Sequence, residues 1–367
     1  MNINNLIEDA MQKYKDELEK LGHVNIIIAG KTGVGKSTLI NAVFRERLAE
    51  TGFGRPVTSC MKLIQKDGVP VSIYDTVGFE LDEDKKEKSI KEITETIDEK
   101  IEGRNPAEFI HCLWYCVDSG SDRFEEAEAD FVNQMAKKIP VIIVITKAYL
   151  KGQAKKFRSA IDDANTDAKN ICVVLAEPAT DEDLFIHAYG VENLIDLTCS
   201  LLPESAKQAW ANVTNSLKLK NSAAMAIVKQ TMAASFTTGC SPIPMSDAPL
   251  LVAAEVSMLM RISAVYGVDL TKNIIKGIAS GLLGVGAVTL AGRTIVSNLL
   301  KCIPGVGTVV GGAISGTVAS ALTLALGKSY IEIMNGIVQG EIDENTLGTE
   351  EMQQKMKDIM KEKMQEG

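Results

Sequence analysis

The residues best suited to chemistry stand in one short run, Gly30-Lys31-Thr32-Gly33-Val34-Gly35-Lys36-Ser37-Thr38, directly after the apolar run Val24-Asn25-Ile26-Ile27-Ile28-Ala29. The spacing is that of a loop that wraps a polyphosphate between a strand and a helix. Gly30 and Gly35 let the main chain curl so that its N–H groups face one point, where phosphate oxygens are the complementary ligand. In that arrangement Lys36 reaches the β- and γ-phosphates and the Ser37 hydroxyl ligates Mg²⁺. Lys31, Thr32, Gly33, Val34 and Thr38 complete the cradle. A helix from Lys36 to about Leu48 adds the partial positive charge of its N-terminus.

Two further segments complete a phosphoryl-transfer site. Asp75-Thr76-Val77-Gly78 ends a second apolar strand. Asp75 would hold a water on Mg²⁺, and Gly78 would offer a backbone N–H to the γ-phosphate. Arg55-Pro56-Val57-Thr58 lies between the phosphate loop and that strand. Thr58, on a mobile loop, would close on the metal in the presence of a γ-phosphate and let go on hydrolysis. The competing readings are a chance Asp-x-x-Gly turn and an ordinary turn threonine. Phe79 follows Gly78 and cannot orient an attacking water as a glutamine does. Hydrolysis is therefore expected to be slow or to use a charge from elsewhere. Lys31 is one candidate, in its own chain or across a dimer, and Glu80 a weaker one; the alternative for Lys31 is plain solvation. The expected catalytic set is Lys36, Thr58, Gly78 and Lys31, with Ser37, Thr58 and Asp75 on the metal.

These residues need a scaffold, and the pattern supplies one. Strand-like runs at about 24–29, 60–66, 70–75, 109–117, 140–146 and 171–176 alternate with charged segments at helical spacing, Asp82–Ile101, Arg123–Lys137 and Gln153–Asp167. Such alternation predicts an α/β fold with a mainly parallel sheet and helices on both faces. Asp67-Gly68 reads as a hairpin turn, so one strand pair is expected to be antiparallel. After Leu202 the strand signals stop. Residues 204–240 read as one or two helices, Ser241-Pro242-Ile243-Pro244 breaks them, and Pro249 opens another. The expected divisions are an N-terminal helix at 1–22, a nucleotide-binding domain at 23–202, a helical apolar domain at 203–340 and a charged helix or tail at 341–367.

Bulk properties narrow the function. The chain has 367 residues and a formal net charge of −9, which argues against a nucleic-acid backbone as main partner. Residues 1–22 are polar and amphipathic, so no secretory leader is expected. Cys60, Cys112, Cys116, Cys172, Cys199, Cys240 and Cys302 are scattered without zinc-ligand spacing. Reduced, mostly buried thiols in the cytoplasm are the expectation.

The motifs together resemble GTPases of the translation-factor-related class, whose G domain is Ras-like and three-layered. GKTGVGKSTLINAVF, with GRPVT and YDTVGFE, is similar to the septin-like, immunity-associated and Era-like branches. Over most of its length the chain resembles a bacterial group of GTPases with a C-terminal helical domain of unknown function. The shared segments are HCLWYCVDSGSDRFEEAE, PVIIVITKAY, SPIPMSDAPLLVAAEVSMLMRISAVYG and IPGVGTVVGGAISGTVASALTLALG. The resemblance implies binding of GTP/GDP with Mg²⁺, hydrolysis, and a membrane-linked role. In GTP-binding proteins of this class an Asn/Thr-Lys-x-Asp segment follows the fifth strand. Its lysine stem packs on the purine and its carboxylate accepts from guanine N1 and N2. Thr146-Lys147-Ala148-Tyr149 fits at Thr146 and Lys147, but Tyr149 stands in the aspartate's place. Guanine preference is then weakened unless another carboxylate substitutes. Ala176-Glu177 lies where the next base-contacting loop belongs, so Glu177 is a candidate.

The second half allows two readings. Between Lys301 and Lys328 no charge occurs, and about twenty apolar residues span a bilayer. Gly307/Gly311 and Gly312/Gly316 permit close helix approach in lipid. The stretch between Lys276 and Arg293 is shorter, so the two could form a hairpin with Arg293 and Lys301 near its turn. Membrane contact, at the inner membrane, is one reading. A glycine-rich hairpin buried inside a soluble helical domain is the other, favoured by the glycine content and missing aromatic belts. Partners are thus a guanine nucleotide, membrane lipid in the first reading, and a second copy in a homodimer. The function classes are a GTP-hydrolysing switch, a non-hydrolysing nucleotide-gated module, and an RNA- or ribosome-assembly GTPase that fits the first half alone.

Smaller signals point to structure. Met352, Met356, Ile359 and Met360 share one helix face, which reads as core packing or a partner face. Arg123, Glu125, Glu126 and Glu128 read as a solvated face. His23, His111 and His187 show no triad or metal spacing, and Asp247 reads as a helix cap.

Overall fold

The computed structural model describes residues 3–51, 53–76, 83–121, 123–181, 184–239, 248–268, 270–283 and 316–365. Val77, Gly78, Phe79 and Glu80, the Ser241–Pro244 breaker with Asp247, Cys240 and Cys302, and most of the two apolar stretches, with Arg293 and Lys301 between them, lie outside the described residues. The chain forms two compact bodies: Leu21–Ser216, and Met1–Lys20 together with Leu217–Gly367.

The first body is a sheet in the order β2-β3-β4-β1-β5-β6-β7. β1 (Val24–Ala29) and β6 (Val141–Thr146) are buried at every position. Continuous apolar runs of this kind are what a parallel sheet covered on both faces requires. β4 (Val71–Thr76) and β5 (Cys112–Asp118) flank β1 in parallel, and β7 (Asn170–Val173) follows β6 in parallel. β3 (Met61–Gln65) runs antiparallel to β4, as the Asp67-Gly68 turn predicts. β2 (Phe53–Pro56) adds an antiparallel edge that the sequence pattern does not announce. It is short and ends in a proline, which is tolerated at an edge.

Helices α2 (Lys36–Val43), α3 (Leu48–Thr51), α4 (Glu83–Glu102), α5 (Glu126–Ala136), α6 (Lys151–Asp163), α7 (Val191–Leu201) and α8 (Glu204–Val213) belong to this body. A small hairpin of β8 (Ala179–Asp181) and β9 (Leu184–Ile186) follows β7. α2 stops at Val43, short of the expected Leu48, for a visible reason. Phe44 is extended (φ −93°, ψ 144°) and bridges to Thr214. Its ring lies 6.3 Å from Trp114 and 5.7 Å from Trp210, and aromatic pairs favour this range. The Asn215 amide donates to Ala42 O and Phe44 O, at 3.2 and 3.0 Å, and so satisfies carbonyls that another helical turn would have used. Trp210 therefore ties α8 to the sheet, and the body continues past the change in composition at Leu202.

The second body joins α1 (Ile3–Lys20) to α9 (Leu217–Gly239), α10 (Ala248–Tyr266), α11 (Lys272–Leu283), α12 (Gly316–Val338) and α13 (Glu350–Gln365). Tyr14 of α1 donates to Val268 O at 2.8 Å, and Arg261 of α10 lies 3.3 Å from Glu17. α9 and α12 approach so closely that a Cβ on Gly327 would sit 2.4 Å from Val228. On α13, Met352, Met356 and Met364 are buried, and Met360 packs on the cluster of Ala325 and Met364. That methionine face is core. Among the described residues no helix is long and apolar enough to cross a membrane.

Candidate functional site

β1 delivers its last residue to the loop at Gly30, where φ is +143° and a Cβ would meet Cys116 O of β5 at 2.3 Å. Only glycine lets the chain leave the sheet there. Gly33 and Gly35 also have positive φ, and Gly35 is the residue before α2. Thr32, Gly33 and Ser37 are exposed, Thr38 is partly exposed, and Val34 is buried. The Lys36 ammonium donates to Gly30 O at 2.9 Å and Lys31 O at 3.3 Å, which holds it over the loop.

Asp75, next to last in β4, lies beside Ile28 of β1. Its Oδ1 is buried and, among the described residues, has no hydrogen-bond partner. Burial pushes this carboxyl above its ordinary pKa, against the pull of Lys36 and Lys62. A buried carboxylate without a partner is costly, and a hydrated divalent cation would relieve it. With the exposed Ser37 hydroxyl in the first turn of α2, the oxygen donors on offer are one carboxylate and one hydroxyl. That chemistry fits Mg²⁺. Thr58 is not brought to this group. Its Oγ1 accepts from Cys60 N at 3.3 Å and Met61 N at 3.1 Å, inside its own turn.

The Thr146-Lys147 segment is tied into the same loop. Thr146 Oγ1 lies 2.6 Å from Val34 O and 2.9 Å from Val117 O, a donor shared between the phosphate loop and β5. Lys147 has φ +50°, and its stem passes 3.9 Å from where a Cβ on Gly35 would stand. Its ammonium is 2.9 Å from Asp118 Oδ2. Ser119 donates to Lys147 O at 2.7 Å, and Tyr189 donates to Ala148 O at 2.7 Å. Asp118 and Ser119 escape a reading of the sequence. The usable signal was their place at the end of β5, opposite Thr146 in register. Tyr149 is 49 % exposed. Ala176 is partly buried and Glu177 exposed, and no hydrogen bond joins either to the phosphate loop among the described residues.

Lys31 differs from both sequence alternatives. Its ammonium is 3.4 Å from Glu125 and 3.4 Å from Glu128 on α5. Nor is that acidic face simply solvated. Glu125 and Glu128 form the capping box of α5, and Glu128 is buried against the Tyr115 hydroxyl at 3.2 Å. Aimed at two carboxylates, Lys31 is poorly placed as a free catalytic charge.

At the other end of β1, a cleft of about 400 Å³ brings in a second feature that spacing concealed. His23 Nε2 lies 2.7 Å from Ser72 Oγ, which also accepts from Gln65 at 2.6 Å. His111 Nδ1 accepts from Asn25 N at 3.1 Å. Burial holds both imidazoles below their usual pKa. Each is kept neutral by the fold, so the unfolded chain takes up its proton first as pH falls. Their contribution is whole above about pH 6.5 and is lost below it. Between pH 7.5 and 5.5 the thermal midpoint of the wild type is expected to fall more steeply than that of the His23→Gln/His111→Gln variant. Parallel slopes by scanning calorimetry would refute this.

Comparison with known proteins agrees with the geometry. Residues 25–147 match the family described as 50S ribosome-binding GTPase, and residues 204–366 match a domain of unknown function, DUF697. The chain is 30 % identical over 110 residues to magnetosome membrane protein 22 of Magnetospirillum gryphiswaldense, 29 % of this chain and 54 % of that protein. It is 27 % identical over 135 residues to the tRNA modification GTPase MnmE of Actinobacillus pleuropneumoniae, 36 % of this chain and 28 % of the relative. With neuronal-specific septin-3 of Danio rerio it shares 23 % over 167 residues, 39 % and 46 % of the two chains. The alignments thus span about half or less of these relatives. The curled loop, the orphaned Asp75 oxygen, the Thr146 junction and the two matched segments identify residues 25–147 as a P-loop GTPase domain, consistent with the Era- and septin-like class, and residues 204–366 as the helical DUF697 domain of unknown function.

Proposed function

We propose that the protein is a slow GTPase that works as a nucleotide-dependent switch. The observation that carries this reading is the Thr146 hydroxyl, which joins the segment expected to read the base to the loop expected to hold the phosphates, at 2.6 Å from Val34 O. One ligand spanning both is what such a junction serves. Backbone N–H groups of residues 30–38 and the Lys36 ammonium hold the β- and γ-phosphates, and the Lys147 stem flanks the purine. Water attacks the γ-phosphorus, the bond to the β–γ bridging oxygen breaks, and GDP and inorganic phosphate result. Ser37 and Asp75, joined by Thr58 when its loop closes, would hold Mg²⁺, which neutralises charge on the phosphate oxygens. Gly78 would supply a further N–H. Most of the acceleration is positioning and charge stabilisation.

The helical body is the output in this reading. Loop closure would alter its packing at the cytoplasmic face of a membrane or against a second copy. The apolar stretch at 301–328 and the similarity to a magnetosome membrane protein support the membrane arm. A non-hydrolysing gate is the second reading, favoured by the Lys31 ion pairs to α5, which occupy the in-chain charge that could replace a water-orienting residue. Calorimetric titration with GTP, GDP and ATP analogues, with and without Mg²⁺ and lipid vesicles, tests nucleotide and membrane together. Phosphate release in a single turnover separates enzyme from gate. A folded protein that binds no purine triphosphate would end both readings.

A further inference from the structure

The turn that carries Thr58 is fastened twice. Within it, Val57 N and Thr58 N both donate to Met61 O, at 2.9 and 3.3 Å, while Thr58 Oγ1 accepts from Cys60 N and Met61 N. From outside, Glu92 on α4 grips the same turn. Ser59 Oγ donates to its Oε1 at 2.6 Å and Cys60 N to its Oε2 at 3.1 Å. The Cys60 thiol is buried beneath, 4.0 Å from Ser89 O of the same helix. The Cys60 N–H is shared between Thr58 Oγ1 and Glu92 Oε2, and Thr58 Oγ1 also lies 3.4 Å from the Cys60 thiol. Thr58 Oγ1 thus faces into its own turn, and meeting a metal requires that turn to open.

We propose that Glu92 is a positioning residue that latches the Thr58 turn to α4, so that Thr58 reaches the Mg²⁺–triphosphate only when Glu92 lets go of Ser59 and Cys60. The inference rests on the nucleotide reading above. Glu92 is held down to about 2 chiefly by the Ser59 hydroxyl and Cys60. α4 is the first helix after β4. Release at Glu92 thereby couples the Thr58 loop to the helix that follows the Asp75 segment.

The test uses the full chain and reads Cys60 directly. Its alkylation by iodoacetamide is followed by peptide mass spectrometry, alongside calorimetric binding of GDP and of a non-hydrolysable GTP analogue with Mg²⁺. In the wild type, Cys60 is expected to react slowly alone or with GDP, and about tenfold faster with the analogue. Glu92→Ala should react at the fast rate without nucleotide and should favour the analogue over GDP more than the wild type does. Glu92→Gln, which keeps one acceptor, should fall between them. Glu95→Gln, one turn away and exposed, should behave as wild type. If the wild type binds the analogue but Cys60 reacts at one rate in every variant and ligand state, the latch is refuted while the nucleotide reading stands. If Glu92→Ala speeds Cys60 but leaves the analogue-to-GDP ratio unchanged, the coupling to Thr58 is refuted. If the wild type binds no nucleotide, the nucleotide reading fails first and takes the coupling with it.

Discussion

Lys36→Ala is expected to weaken binding of GTP about a hundredfold and to lower single-turnover hydrolysis by about a thousandfold, as removal of one preorganised charge from a phosphoryl-transfer site does. The ammonium bridges Gly30 O and Lys31 O above the loop, where its removal takes away a cation that the phosphates would meet. Fold stability should change little, because the side chain is only partly buried and the loop's shape is set by backbone and by Thr146. Calorimetry and phosphate release would measure the two effects, with circular dichroism as the control. Unchanged affinity in a folded variant would show that this curl of chain does not grip polyphosphate.

The second large effect is a gain. Tyr149→Asp should raise the preference for GTP over ATP by roughly 10- to 100-fold, since hydrogen bonds to a charged acceptor contribute about 1.5–3 kcal/mol. The backbone beside it is fixed: Ala148 N donates to Val174 O at 3.3 Å and Ala148 O accepts from Tyr189. A carboxylate placed there would stand one residue beyond a held segment. Tyr149 is half-exposed, so its loss disturbs no core. Wild type should still prefer GTP modestly if Glu177 reaches the base, and Glu177→Gln would then remove that remainder. Competition binding of GTP and ATP settles both. An unaltered ratio in Tyr149→Asp would mean that the base is read elsewhere.

The phosphate loop and the strand behind it were legible because they are local. Glycine positions, lysine and serine sit within nine residues, and an apolar run fixes the strand. The parallel sheet was legible for the same reason, as unbroken apolar runs report burial on both faces. What escaped depends on contacts between distant segments. The end of α2 is decided by Phe44 meeting Trp114 and Trp210, and no propensity in 36–48 encodes that. The Asp118–Lys147 pair needs the register of β5 on β6. Lys31 looked free because its carboxylates lie on α5, far along the chain. His23 and His111 influence each other only because the residues after them start neighbouring strands. A charge run such as 123–128 reads as solvated until a buried hydroxyl, that of Tyr115, turns out to face it.

The pairing of α1 with α10 sets an order of events during synthesis. Tyr14 and Glu17 find Val268 and Arg261 only after the whole nucleotide-binding body has been made. At about 5–20 residues per second, the first helix emerges roughly 10–50 s before its mate. Through that interval an amphipathic segment trails from a finished α/β body with its apolar side uncovered. Ribosome-bound holdases would take it as a client, and a fragment of residues 1–216 should carry it as a sticky appendage, whereas a fragment of residues 21–216 should not.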